Sequence, residues 1–350
     1  MFKLNPRQEK ILELFLEYPE LDIASIERSL NESISRVTLN RDLTYLLKLD
    51  LIIRSGEGKN TVYELSSLYK LIQPINIKQY FSVIPDKRFI EESFNFNIFK
   101  LIDKVSEKIF SSSELEHIEQ LNNTYRSNLK QHSKTIIRKE FERLTIDLSW
   151  KSSQIEGNTY SLLDTETLFK VGIEAKGHSK EEAKMLLNHK HALEYILEKP
   201  AYFKKITPNK IIELHSMLTK GLYINPNFRN SLVGITGTNY KPLDNVFQIS
   251  DSIKSLSETV NKIKEPFTKA LICSALISYI QAFEDGNKRT SRITSNALLL
   301  AYNYCPLSYR SIDETEYKKA MILFYERNNL LYLKELFIEQ FEFAVRNYFQ

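Results

Sequence analysis

The chain has little of what would place it in a specialised class. Only two cysteines occur in 350 residues, Cys273 and Cys305, each inside an apolar run. Two thiols so placed read as buried core thiols. Glycine is scarce, at nine residues, and neither an internal repeat nor a low-complexity tract is visible. No excess of one charge exists: 48 basic and 44 acidic residues leave a net +4, so bulk electrostatics argue for no particular partner. Long apolar runs are missing too. The longest, "FTKALICSALISYIQAF", is interrupted by Lys269, Ser274, Ser278 and Gln281, which predicts a buried core helix and no membrane span. The opening "MFKLNPRQEK" has no signal-peptide core, so the expectation is a cytoplasmic protein.

What is present is ordinary globular composition, 42% hydrophobic and 26% charged, with room for two or three domains. Apolar residues recur at spacings of three and four in "QEKILELFLE", "KIIELHSMLTKGL" and "KELFIEQFEFAV", which predicts a mainly α fold. Residues 1–66 read as a separate unit. "PRQEKILELFLE", "LDIASIERSL" and "SISRVTLNRDLTYLLKLD" predict three helices, the third capped by Asn31 or Ser33. "LIIRSGEGKNTVYEL" predicts a β-hairpin. Residues 67–95, with two prolines and weak periodicity, read as a connector packed on the next domain, and residues 96–350 as one helical domain.

In "QAFEDGNKRTSR" (281–292), a helix from Pro266 to Phe283 gives way to a turn and a second helix. Gly286, Asn287 and Lys288 would then present backbone N–H groups at a helix N-terminus, where an anion is stabilised. Lys288, Arg289 and Arg292 oppose the helix dipole there unless an anion is bound, and Asp285 would suit Mg²⁺ carried with phosphate. A surface turn with solvated charges is the plainer alternative. The spacing is not that of a Walker loop. In "DLSWKSSQIEGNTYS", Gly157 predicts a helix stop directly after Glu156. An acid at one helix C-terminus and arginines at another N-terminus invite pairing, and a Glu156–Arg292 ion pair would plug the anion site reversibly.

Several segments resemble known families. Three helices and a hairpin resemble the winged helix-turn-helix of transcription regulators. That resemblance implies that Ser35, Arg36, Thr38, Leu39 and Asn40 lie near the groove-facing end and that Arg41 contacts phosphate, with DNA as partner. Residues 1–65 carry nine basic and eleven acidic side chains, so protein contacts or dimerisation stand as the alternative.

The rest of the chain, roughly 95–345, resembles the Fic (Fic/DOC) domain. That family has a loop His-x-Phe-x-(Asp/Glu)-Gly-Asn-Gly-Arg-x-x-Arg and an inhibitory motif (Ser/Thr)-x-x-x-Glu-(Gly/Asn). Here Phe283, Asp285, Gly286, Asn287, Arg289 and Arg292 match the first, and Ser152, Glu156 and Gly157 the second. "GHSKEEAKMLLNHKHAL" and "FRNSLVGITG" also look like Fic segments. The resemblance implies an all-helical domain with an inhibitory helix near 140–157, ATP as nucleotide and Mg²⁺ on Asp285. It implies AMP transfer to a target hydroxyl, phosphates held by Asn287, Arg289 and Arg292, and Glu156 holding the enzyme off. Val233, Gly234 and Ile235 with "NVFQIS" (245–250) would form a hairpin flap that pairs with an extended protein target. A homodimer is expected.

Two positions depart from the pattern. Gln281 stands where the family has its histidine base, and an amide has no useful basicity. Lys288 replaces the second glycine, bringing a Cβ that crowds phosphate and an ammonium that attracts it. The expectation is a nucleotide-binding protein of the adenylyltransferase lineage with impaired or altered transfer. The alternatives are an active transferase using another base and a DNA-binding regulator using the Fic domain as scaffold or sensor.

Overall fold

The computed structural model describes residues 4–30, 34–88 and 93–350. The expected caps Asn31 and Ser33 lie outside the described residues. The chain divides into two compact units, Met1–Pro74 and Ile75–Gln350.

The N-terminal unit runs α1 (Pro6–Glu17), β1 (Leu21–Asp22), α2 (Ile23–Ser29), α3 (Arg36–Lys48), β2 (Ile52–Ser55), β3 (Val62–Leu65) and α4 (Ser67–Ile72). The Asn5 carboxamide and Gln8 form a capping box at α1, and Ser35 caps α3 by accepting the Thr38 N–H at 3.2 Å. β2 pairs antiparallel with β3, Ile52 opposite Leu65 and Ser55 opposite Val62. The short β1 pairs with the other side of β3, a strand too brief for periodicity to reveal. Ile11, Ile26, Leu39, Leu43, Leu46 and Ile52 form the core. The buried Asp42 accepts from Arg7 Nε at 2.5 Å and Gln8 Nε2 at 2.9 Å, tying α3 to α1.

The second unit is helical: α5 (Ile77–Ser82), α6 (Ile98–Val105), α7 (Ser112–Gln131), α8 (Lys134–Ile155), α9 (Leu162–Val171), α10 (Lys180–Glu198), α11 (Pro208–Thr219), α12 (Val246–Lys262), α13 (Pro266–Ile280), α14 (Asn287–Ala301), α15 (Glu314–Arg327) and α16 (Leu331–Asn347). α13 is apolar around its circumference, which marks a central helix, and every residue from Phe267 to Ile280 is buried. α14 runs back along it, flanked by α8, α10 and α11. The turn between α13 and α14 therefore sits at the end of the most extensively packed helix pair among the described residues. Tyr240 and Phe94 both stack on Tyr279 of α13, with ring centroids 5.0 and 4.7 Å away.

Two local expectations are corrected. α13 ends at Ile280 and not at Phe283, because Gln281 takes a left-handed conformation (φ 51°, ψ 52°) that stops the helix. The hairpin expected from Val233–Ile235 and residues 245–250 is not there. Residues 245–250 open α12, whose cap Asn245 accepts the N–H groups of Phe247 at 2.8 Å and Gln248 at 3.3 Å. Ile249, Ile253, Leu256 and Val260 bury one face of that helix, a spacing of three and four that outweighs a short β-like run. Val233, Gly234 and Ile235 lie in an irregular segment.

Candidate functional site

The turn after α13 is built from its own side chains. Asn287 Oδ1 accepts the Phe283 N–H at 2.9 Å and its Nδ2 donates to the Phe283 carbonyl at 2.7 Å. The Asn287 amide, expected to cradle phosphate, is thus occupied as a brace of the loop. Phe283 stacks face to face on His215, centroids 3.6 Å apart, and His215 Nδ1 lies 3.2 Å from Thr290 Oγ1. Gly286 has φ +78°, and a Cβ there would meet His215, Thr219 and Arg289 atoms at 3.3–3.4 Å. Only glycine suits that backbone in so tight a place. Arg229 is completely buried; its Nε donates to the Gln281 carbonyl at 2.6 Å. Its backbone N–H donates to Ala282 at 3.0 Å. This side chain holds Gln281 in its left-handed conformation.

Glu156 caps the C-terminus of α8, and Gly157 follows with φ +95°. Glu156 Oε1 accepts from Arg292 Nη2 at 2.8 Å, and Oε2 lies 3.6 Å from Lys288 Nζ. Arg292 also donates Nε to Ser152 Oγ and Nη2 to the Ser152 carbonyl, both at 2.9 Å. Burial disfavours the Glu156 charge, yet Arg292 and Lys288 outweigh it and hold the carboxyl below its ordinary range. Arg289 pairs with the exposed Asp285 at 3.0 Å, and the second oxygen of Asp285 accepts the Gly286 N–H at 2.5 Å. Of the expected free amides, that of Gly286 is therefore taken within the loop.

Beside these residues lies a cavity of about 470 Å³ lined among others by Glu156, Gln281, Asp285, Lys288, Lys318 and Tyr325. Val233–Thr236 form one wall. Arg289 and Arg292 are buried behind Glu156 and Lys288, with 1% and 0% of their side chains exposed. Arg289 Nε and Nη1 and Arg292 Nη1 find no hydrogen-bond partner among the described residues. Buried guanidinium nitrogens left open are costly. Gln281 lines the same cavity, its Nε2 donating to the Ser278 carbonyl at 2.6 Å.

The structure thus brings Ser152, Glu156, Gly157, Gln281, Asp285, Asn287, Lys288, Arg289, Arg292 and the segment Val233–Ile235 around one cavity or directly behind it. Ser35, Arg36, Thr38, Asn40 and Arg41 are in the other unit. Arg36, Asn40 and Arg41 are exposed along α3, whereas Leu39 is fully buried in the core and faces no groove. Residues missed from the sequence are His215, His189 and Arg229. His189 Nε2 lies 3.3 Å from Ser152 Oγ. Burial, reinforced by the neighbouring arginines, holds His189 well below the ordinary histidine range. It also pushes His215 down to about 4. Both are neutral at pH 7, and both are fully or almost fully buried; their helical spacing looks like any core position.

Residues 205–299 match the Fic/DOC family. Over that segment the chain is similar to the Fic/DOC family. The match takes in the cavity's loop, α14 as far as Leu299 and the wall segment. The chain is 27% identical over 168 residues to the protein adenylyltransferase Fic of Drosophila ananassae, covering 47% of this chain and 33% of that protein. It is equally similar, over 173 residues, to the Drosophila melanogaster protein of the same name, covering 48% and 35%. The chain spans about a third of the length of these relatives. Among solved structures, Fic-1 of C. elegans matches with TM-score 0.59 at 17% identity, covering 71% of this chain and 73% of that one. A Fic domain containing signaling protein from Bacteroides thetaiotaomicron matches with TM-score 0.55 at 21% identity, covering 65% and 95%.

Proposed function

We propose that this Fic domain binds ATP or a related nucleoside polyphosphate, is held shut by Glu156, and has impaired AMP transfer because Gln281 stands in the place of a proton acceptor. The observation that carries the reading is the pair of buried arginines with unpartnered nitrogens, covered by a carboxylate that a phosphate can replace. Arg289, Arg292 and Lys288 would meet the phosphate chain once Glu156 swings away, and Arg292 is already aimed by Ser152. Among the described residues no cluster of three His, Cys, Asp or Glu side chains is placed to hold a metal. Mg²⁺ usually keeps several waters and takes one or two carboxylates plus phosphate oxygens. The exposed Asp285 carboxylate, at 61%, fits that need as the single protein ligand of an ion arriving with the nucleotide, where the ion would neutralise phosphate charge. The irregular segment Val233–Ile235, open on its outer side, would receive an extended stretch of a target protein without being a strand itself.

Calorimetric titration with ATP·Mg²⁺ tests this. The Glu156→Gly chain is expected to bind at least tenfold more tightly than the parent, equivalent to about 1.4 kcal/mol. The free protein should meanwhile lose stability, since Arg292 is left without its counter-charge. Absence of binding by both chains would remove the reading.

The N-terminal unit supports a second role. α3 exposes Arg36, Asn40 and Arg41 while burying Leu39, Leu43 and Leu46, the division a groove-reading helix of a winged helix needs. Binding to duplex DNA should weaken steeply with added salt, and Arg41→Ala should weaken it uniformly across sequences. Salt-independent or absent binding would leave this unit as a protein-contact module.

A further inference from the structure

The stretch that follows the N-terminal unit is fastened to the cavity wall by buried polar contacts. Arg88 is almost fully enclosed, its side chain 3% exposed, and its Nη2 lies 3.2 Å from the completely buried Glu326 Oε1. The same guanidinium donates to the Gly237 carbonyl and lies over the Phe81 ring at 5.1 Å and the Tyr80 ring at 5.6 Å. Tyr80 donates its hydroxyl to Glu326 Oε2 at 2.6 Å. Asn239 Nδ2 donates to Asp86 at 2.6 Å, and Ser93 forms a parallel bridge with Lys241.

Three of these ties land on residues 237–241, the direct continuation of the wall Val233–Thr236. The other end of the segment is held by Arg229, which donates to the Ser231 carbonyl at 2.6 Å; the same guanidinium also donates to the Leu243 carbonyl, just beyond the three ties. Between the two anchors Leu232, Gly234 and Thr236 are exposed. Ile322, which also lines the cavity, lies 3.4 Å from where a Cβ on Gly237 would sit. A buried ion pair is a poor source of stability, because desolvation offsets most of its attraction. What this one supplies is geometry: it fixes a charged fork against one carbonyl oxygen.

We infer that Arg88, assisted by Asp86, is a positioning residue for the cavity wall Val233–Thr236, acting through Gly237 and Asn239. The wall's place is then set by the stretch that continues the chain from Pro74, whatever ligand the cavity takes. The inference is separate from nucleotide binding, and its test involves no nucleotide.

Both native cysteines are buried, so a nitroxide can be attached selectively to Thr236→Cys. Its electron paramagnetic resonance spectrum reports motion of the wall. Arg88→Ala is expected to shorten the label's rotational correlation time at least twofold, and Asp86→Ala to shorten it by less. Arg88→Lys should restore part of the parent line shape. A second label at the exposed Lys254→Cys on α12 should not change. An unchanged Thr236→Cys spectrum in both variants, or an equal change at both labels, would overturn the inference. If Arg88→Ala does not fold, Asp86→Ala decides alone, since its pair with Asn239 is exposed: faster motion upholds the inference, and none overturns it.

Discussion

Gln281→His in a chain that also carries Glu156→Gly is expected to raise transfer of label from α-phosphate-labelled ATP to protein by about 10²–10⁴ over Glu156→Gly alone, the usual worth of a positioned general base. The position is prepared for it. Histidine tolerates a left-handed backbone better than most residues, so φ 51° at residue 281 does not oppose the change. Arg229 grips the main-chain carbonyl and is indifferent to the side chain. The new imidazole would face the cavity that Gln281 lines, beside the buried arginines. Host lysate with the purified chain, followed by autoradiography, reads the result, and Arg292→Ala should abolish the label. If the repaired chain binds ATP and transfers nothing, the obstacle is Lys288, and adding Lys288→Gly should release it. If label appears already with Gln281 in place, another group takes the proton and the reading of an impaired site is wrong.

Acid is expected to weaken the fold before its carboxylates titrate. His215 stays neutral in the folded chain down to about pH 4, whereas an unfolded histidine takes its proton near the ordinary value of about 6.5. Between those limits the unfolded chain binds more protons, so stability falls as pH is lowered through the window and is flat above it. A shift of this size corresponds to about 3 kcal/mol lost by pH 4. His189, buried against Ser152 and disfavoured by both arginines, acts in the same direction. Glu156 behaves differently: its depressed carboxyl contributes above the ordinary glutamate range and loses that contribution only below it. Urea unfolding between pH 7.5 and 4.5 separates the two, and His215→Asn should flatten the upper part of the curve. An identical slope in that variant would show that the histidine makes no such contribution.

Contiguity decided what could be read from the chain. The loop residues 281–292 and residues 152–157 sit in short runs, so residue type and spacing announced them together. The helices followed from periodicity. His215, Arg229 and the Arg88–Glu326 pair reach partners far along the chain, and their local sequence looks like any amphipathic helix or connector. Arg229 lay inside a segment already noted, yet nothing in "FRNSLVGITG" says that its guanidinium will hold the Gln281 carbonyl. The flap failed for the opposite reason: Val233–Ile235 alternates like a strand, but Asn245 starts a helix where its partner strand was expected.

The loop has two sides that answer to different constraints. Phe283 and Gly286 are fixed by contact with His215, and a change in either would disturb the end of the central helix pair. Positions 281 and 288, where the chain departs from the Fic pattern, both line the cavity. Mutation can therefore rewrite what the loop does to a ligand while leaving its shape intact. A chain of this design is free to change trade without learning to fold again.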